Sequence, residues 1–290
     1  MSQTTCGNRD SGMPPRKSPR KSTVWQVVAT SVRGAAHERN GLPNQDAIYW
    51  LPSVGQGSAI VLTAADGHGS ARYSRSHIGA AIAVEKAAQL TDEFLRSQAS
   101  VDNLSLIKHA TEEWLPRAIV RNWSEAVAEH LKSDPLSPDS IDAESSVAYG
   151  ATLLVVAVTE RFVLYLQLGD GEILTVSESG EVVRPLVKDE RLFGNETTSL
   201  CAPEAWRDFR VGFQPLTQSC PALILVSTDG YPNSFRHESG FMKVGSDLLF
   251  MIRENGLASV QDHLEGWLRD STRAGSGDDV TLGILCSLDD

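Results

Sequence analysis

The sequence predicts an α+β fold, with sheets and helices in separate layers instead of alternating parallel β/α units. Two observations lead there. Apolar strand-like runs cluster in blocks near the start, through the middle and at the end, and helical periodicity fills the gaps between blocks instead of following every strand. Hydrophobic residues make up 41% of 290 positions and charged residues 22%, ordinary values for a folded protein, which sets aside collagen-like, coiled-coil and fully disordered chains.

Residues 1–22 carry Arg9, Arg16, Lys17, Arg20 and Lys21 among Ser, Pro and Gly, with no apolar cluster. They read as a disordered basic tail ahead of one folded domain over 23–290. Val24 to Ala29 reads as a strand, followed by a polar loop through Asn40, Gly41, Leu42 and Pro43. Ser58 to Ala64 is a second apolar strand that stops abruptly at Asp66-Gly67-His68-Gly69. Ser76 to about Arg96 is Ala-rich, with Ile78, Ile82 and Leu90 among good helix formers. A second helical stretch runs from Leu104 through Trp114, Ile119 and Trp123 to Val127, kinked or split by Pro116. Trp114, Trp123 and Trp267 stand at helical spacing and are expected to anchor the core.

After a loop from Ser133 to Pro138, the middle of the chain turns β-rich. Ala151–Val158 and Phe162–Leu166, separated by Thr159-Glu160-Arg161, suit a hairpin, continued through Gly169-Asp170-Gly171 into Glu172–Val176 as an antiparallel meander. Ala222–Ser227 is another buried strand, ending at Thr228-Asp229-Gly230. Helical patterning returns from Leu248 to Ile252 and from Val260 to Leu268, and a last strand, Val280–Cys286, starts directly after Gly277-Asp278-Asp279.

The net charge is −11, and because the tail is basic the folded part is more acidic still. An acidic body repels phosphate backbones, which argues against nucleic acid as the main ligand and suits a protein that collects cations. Cys6, Cys201, Cys220 and Cys286 are scattered without CxxC spacing in a chain too large to need disulfide staples, which points to a reducing cytoplasm. No segment has the length of apolar residues that a secretion signal or a membrane span requires.

One local arrangement recurs: an apolar strand meets a carboxylate with glycine beside it, at Asp66-Gly67, Asp170-Gly171, Asp229-Gly230 and Gly277-Asp278, with Asp46 before Ile48 as a related case. Strands of one sheet commonly end along the same edge, where these acids would converge. Crowded carboxylates need a cation, and oxygen donors with few histidines favour Mg²⁺ or Mn²⁺ over zinc. Each Asp-Gly taken alone is also an ordinary turn, so pattern alone leaves both a divalent-metal site and a set of turns open.

The ordered string Asn44-Gln45-Asp46, Asp66-Gly67-His68-Gly69, Gly150-Ala151-Thr152, Gly169-Asp170-Gly171, Ser227-Thr228-Asp229-Gly230 and Gly277-Asp278-Asp279-Val280-Thr281 resembles the metal-dependent Ser/Thr protein phosphatases of type 2C. The likeness runs from about Val27 to Leu285, and the segment from Gly34 to Asp46 is closer to the bacterial branch. The resemblance implies a central antiparallel β-sandwich flanked by helices on both faces, with two Mn²⁺ or Mg²⁺ ions at one end. Carried over by position, Asp66 bridges both ions, the Gly67 carbonyl binds one, Asp229 and Asp278 hold the other, Asp46 contributes mostly through water, and Asp170 serves a weaker third site shared with Asp229. Water activated by the ions would attack phosphorus in line, and His68 would protonate the departing serine or threonine oxygen. The implied partners are a phosphorylated protein and a cognate Ser/Thr kinase, with the enzyme acting as a monomer.

The sequence departs from the family in two places. The arginine expected just upstream of the early acidic motif is replaced by Leu42-Pro43, so Arg33, His37 or Arg39 would grip substrate phosphate, with Arg39 preferred for proximity and bidentate reach. Asp279 stands where asparagine is common, which leaves the Asp278/Asp279 ligand choice open, with Asp278 preferred. A catalytically weak phosphoprotein-binding module on the same fold is the rival reading. Cys201 and Arg207 have the spacing of a cysteine-dependent phosphatase loop, but Pro203 removes an N–H donor and Glu204 adds a repelling charge, so that reading is set aside.

Overall fold

The computed structural model describes residues 23–137, 146–189, 197–217 and 220–288; the basic tail assigned to 1–22 lies outside them. Within these residues the strands are β1 (Val24–Val32), β2 (Asp46–Leu51), β3 (Gln56–Gly57), β4 (Ile60–Asp66), β5 (Leu153–Val158), β6 (Phe162–Leu168), β7 (Glu172–Val176), β8 (Val182–Val183), β9 (Arg210–Pro215), β10 (Leu223–Ser227) and β11 (Val280–Leu288). The helices are α1 (Ala35–Asn40), α2 (Ser76–Gln98), α3 (Leu104–Glu113), α4 (Leu115–Ser133), α5 (Glu238–Asn255) and α6 (Leu257–Ala274). One sheet runs β3-β1-β11-β10-β7-β8 and the other β2-β4-β5-β6-β9, with antiparallel neighbours throughout.

Three apolar layers hold these elements together. Trp25, Ile60, Leu62, Leu154, Val156, Ile224 and Leu285 fill the space between the sheets. Val61, Val155 and Ala157 face outward against Ala83 and Ala87 of α2 and Ile119 and Trp123 of α4. Leu225 and Ile284 face the opposite way, against Leu248 of α5 and Leu264 and Leu268 of α6. Alternate residues of β5 thus serve two different cores, which is why its sequence is apolar without interruption. The result is the four-layer helix–sheet–sheet–helix arrangement expected from the sequence.

Several local expectations change. The stretch read as a loop before Gly41 contains α1, closed by Gly41 in the left-handed conformation (φ 70°). The expected meander is broken, because Gly169-Asp170-Gly171 carries the chain from β6 in one sheet to β7 in the other. Strand β9 gives no clear alternation because it lies on a sheet edge and is half-buried along nearly its whole length. Pro116 occupies the first turn of α4, and the break it imposes falls at Trp114.

The tryptophans divide as well. Trp123 is fully buried and donates its Nε1–H to the Gly79 carbonyl at 3.1 Å. Trp114 is 47% exposed and stacks on Phe94, while Trp267 is 36% exposed and stacks on His263, so neither is the core anchor that its spacing suggested. No helix among the described residues is long and apolar enough to cross a membrane.

Trp123→Ala is expected to lower the unfolding free energy by about 3–5 kcal/mol, and Trp267→Ala by less than about 1 kcal/mol. Urea titrations of both variants check this, and equal losses would contradict the assignment of the core.

Candidate metal centre

The chemistry-bearing residues lie where the two sheets end together. Asp46 begins β2 and Asp66 ends β4, directly opposite each other in register, so both carboxylates share one face of the sheet. The other sheet reaches across to meet them. Thr228, just after β10, and Thr281, at the start of β11, donate their hydroxyls to one oxygen of the buried Asp46 at 2.6 and 2.8 Å.

Thr152 clamps the end of β4 from both sides. Its hydroxyl accepts the Asp66 N–H at 3.0 Å, and its own N–H is donated to the Asp66 carbonyl at 2.8 Å. Beyond Asp66, the Gly67 N–H is donated to the Gln45 carbonyl and the His68 N–H to the Gly150 carbonyl, both at 3.1 Å. A side chain on Gly67 would strike the Ser76 backbone at 2.7 Å and the Gln45 carbonyl oxygen at 2.9 Å. The His68 ring packs edge-on against Tyr73, with centroids 4.7 Å apart. The Gly150-Ala151-Thr152 motif therefore fixes the backbone that carries Asp66 and His68.

Asp278 and Asp279 are neighbours with opposite surroundings. Asp279 is 2% exposed, and its oxygens accept the backbone N–H groups of Gly34 and Gln45, each at 2.6 Å, and His37 Nδ1 at 2.8 Å. Asp278 is exposed and lines the basin. The backbone crowding around Asp279 leaves no room for Cβ atoms on Gly34 or Gly230, where an added carbon would come within 2.3 Å and 2.0 Å of residues 278–279.

Asp66, Gly67, His68, Asp170, Asp229 and Asp278 line one basin, and the buried Asp46 is the cross-strand partner of Asp66. The two preferred arginines do not join them. Arg39 is exposed on α1, and Arg33 donates to the His37 carbonyl at 3.1 Å, so neither faces the basin. Of the three basic residues considered for substrate phosphate, His37 lines it. Sequence reading passed over the hydroxyls of Thr152, Thr228 and Thr281 and the Asn233 amide, which donates to Asp229 at 3.0 Å. The threonines carried a signal, since each sits within or beside an acidic or glycine motif. The Cys201–Arg207 pair builds no phosphate cradle: Arg207 pairs with Glu204 at 2.9 Å and lies over the Trp206 ring.

The electrostatics fit a cation. Burial pushes the Asp66 carboxyl well above the ordinary range, and Asp46, Asp229 and Asp278 push it the same way. Asp46 is likewise held well above it by burial, against the lowering effect of its two threonine donors. Asp229 is pushed up to about 6, by burial first and Asp170 second. Asp66 and Asp229 face each other closely enough for each to perturb the other's titration. No lysine or arginine among the described residues lines the basin. A donor set dominated by carboxylate oxygens suits a hard divalent ion.

A family model described as Protein phosphatase 2C matches residues 33–269. No curated relative is similar enough to be matched by sequence. Among solved structures, the fold is similar to the catalytic domain of the serine/threonine phosphatase PstP in complex with two manganese ions, at 19% identity over 92% of this chain and 100% of that one, TM-score 0.51. It is also similar to a bacterial serine phosphatase (14% identity, 91% and 97% of the two chains, TM-score 0.58). A third match is PppA, a regulatory component of the T6SS in Pseudomonas aeruginosa (16% identity, 91% and 98%, TM-score 0.56). At these identities the likeness is one of fold.

Because folding raises these carboxyl pKa values, the metal-free folded chain binds more protons than the unfolded chain from the ordinary carboxylate range up to and beyond about 6. Its stability is therefore expected to fall as the pH rises through that window. Calorimetric melting should show Mn²⁺ raising the transition temperature more at about pH 8 than at about pH 5, and the reverse order would contradict the raised values.

Proposed function

The chain belongs to the protein phosphatase 2C family, the metal-dependent Ser/Thr protein phosphatases, and we propose how its own residues divide that work. Asp66, Gly67, Asp229 and Asp278 hold two divalent ions, Mn²⁺ or Mg²⁺, with Asp46 acting through water and Asp170 at a weaker third position shared with Asp229. The observation that carries this reading is the convergence of carboxylates with raised pKa values on one basin. The two manganese ions of the PstP structure support the count. Such ions, when bound, activate water and offset charge on phosphoryl oxygens.

The protein's share is positioning and proton supply. Thr152 keeps the end of β4 in place, so the Asp66 carboxylate stays aimed into the basin while charge in it changes. Thr228 and Thr281 hold one oxygen of Asp46 and leave the other free to orient water. His68 protonates the departing serine or threonine oxygen. Burial holds its imidazole below the usual value while Asp170 raises it, and an arriving phosphate adds negative charge with the same sign as Asp170. Substrate binding thus favours the protonated ring when a proton is needed.

The same reading makes the chain a monomeric bacterial signalling enzyme that opposes a Ser/Thr kinase in the cytoplasm. The bacterial neighbours in fold support this.

Asp66→Asn is expected to reduce Mn²⁺-dependent hydrolysis of an aryl phosphate to background; undiminished turnover would sink the reading. His68→Gln should slow phosphoserine-peptide hydrolysis by about 10²–10⁴-fold while sparing an aryl phosphate whose leaving group needs no proton. An equal loss on both substrates would remove His68 from the acid role.

A further inference from the structure

We infer that His37 is a ligand of the metal centre, its Nε2 binding one divalent ion together with Asp278; this rests on the metal-centre reading above. Asp279 assigns the tautomer. Asp279 Oδ2 lies 2.8 Å from His37 Nδ1, so with Nδ1–H donated to that carboxylate the neutral ring has its Nε2 lone pair left for a metal. That lone pair is on the side of Asp278, with Nε2 and Asp278 Oδ1 3.6 Å apart. Nitrogen and oxygen ligands bind such ions at about 2.0–2.2 Å, which places two ligands of one ion roughly 3–3.5 Å apart. The observed pair needs only a small closure.

The surroundings fit this role. His37, Asp278 and Asp279 form a group whose candidate ligand atoms all lie within 4.8 Å of one another. Asp279, with its oxygens already engaged by Gly34, Gln45 and His37, acts from behind as the carboxylate that orients a metal-binding histidine. The two segments are tied together. Ala36 N–H is donated to the Gly277 carbonyl at 2.8 Å, and the Thr272 hydroxyl accepts the Ala35 N–H while donating to the Asp278 carbonyl. His37 side-chain exposure is 14%, so the ring has little freedom to leave.

An imidazole among carboxylates changes the metal preference. Imidazole is a poorer ligand for Mg²⁺ than for first-row transition ions, so between the two ions this position disfavours Mg²⁺ relative to Mn²⁺. The same ring could grip a substrate phosphate oxygen through Nε2 only with protons on both nitrogens, which would leave no lone pair for a metal.

The test uses the full chain and Mn²⁺ alone. Electron spin echo modulation of the Mn²⁺ complex should show a directly bound nitrogen that shifts when histidine is labelled with ¹⁵N. His37→Gln, checked for folding by circular dichroism, should abolish that nitrogen signal, and His68→Gln should retain it. Mn²⁺ affinity should drop about 10–100-fold in His37→Gln, with a smaller change for Mg²⁺. Bound Mn²⁺ without a nitrogen signal would overturn this inference and leave the carboxylate centre standing. Absence of Mn²⁺ binding by the unaltered chain would overturn both. A His37→Gln protein with unchanged metal binding and a raised KM for phosphopeptide would assign the ring to substrate instead.

Discussion

Carboxylates that repel one another are held together at the end of the sandwich, and much of the local structure exists to make that tenable. Asp66 feels Asp46, Asp229 and Asp278 at once, and no lysine or arginine among the described residues lines the basin to relieve it. Without a cation, burial and mutual repulsion favour the acids' protonated forms. Under the proposed function, bound cations make them ligands. On that proposal, stability, metal affinity and catalytic competence are linked through the same few side chains.

The fold reaches this arrangement by letting each sheet stabilise the other's charge. Asp46 belongs to one sheet, and its two hydroxyl donors, Thr228 and Thr281, belong to the other. Asp279 does the converse work between α1 and the start of β11, collecting N–H groups from Gly34 and Gln45. Hydroxyl and backbone donors supply polarity without a full positive charge, so they steady the acids without competing with a metal for the basin.

The sandwich was legible in the sequence because apolar runs such as Leu153–Val158 and Leu223–Ser227 are long, β-branched and abruptly ended by Asp-Gly motifs. The α1 helix was not, because its six residues have little apolar pattern and its start is fixed by a partner far along the chain: Ala35 bonds to Thr272, 237 positions away. That hidden helix also decides which basic residue meets the basin. Two residues along a helix rotate a side chain by about 200°, so His37 and Arg39 point to different sides despite adjacency in sequence. Nor does the dipeptide Asp278-Asp279 say which acid is free. Gly34 and Gln45 decide that, through N–H groups that only the folded chain brings near.

Strands β1 and β11 pair along nine positions, from Val24 with Leu288 to Val32 with Val280. Until the last strand is synthesised, the first has only the two-residue β3 as a partner in its sheet. A nascent chain that has already formed β2 and β4 carries Asp46 and Asp66 but has neither Thr281 nor Asp278, so it has no finished pocket while still on the ribosome. The closing strand therefore completes the pocket, and a chain that ends before Asp278 lacks that carboxylate and one of the two hydroxyls that hold Asp46.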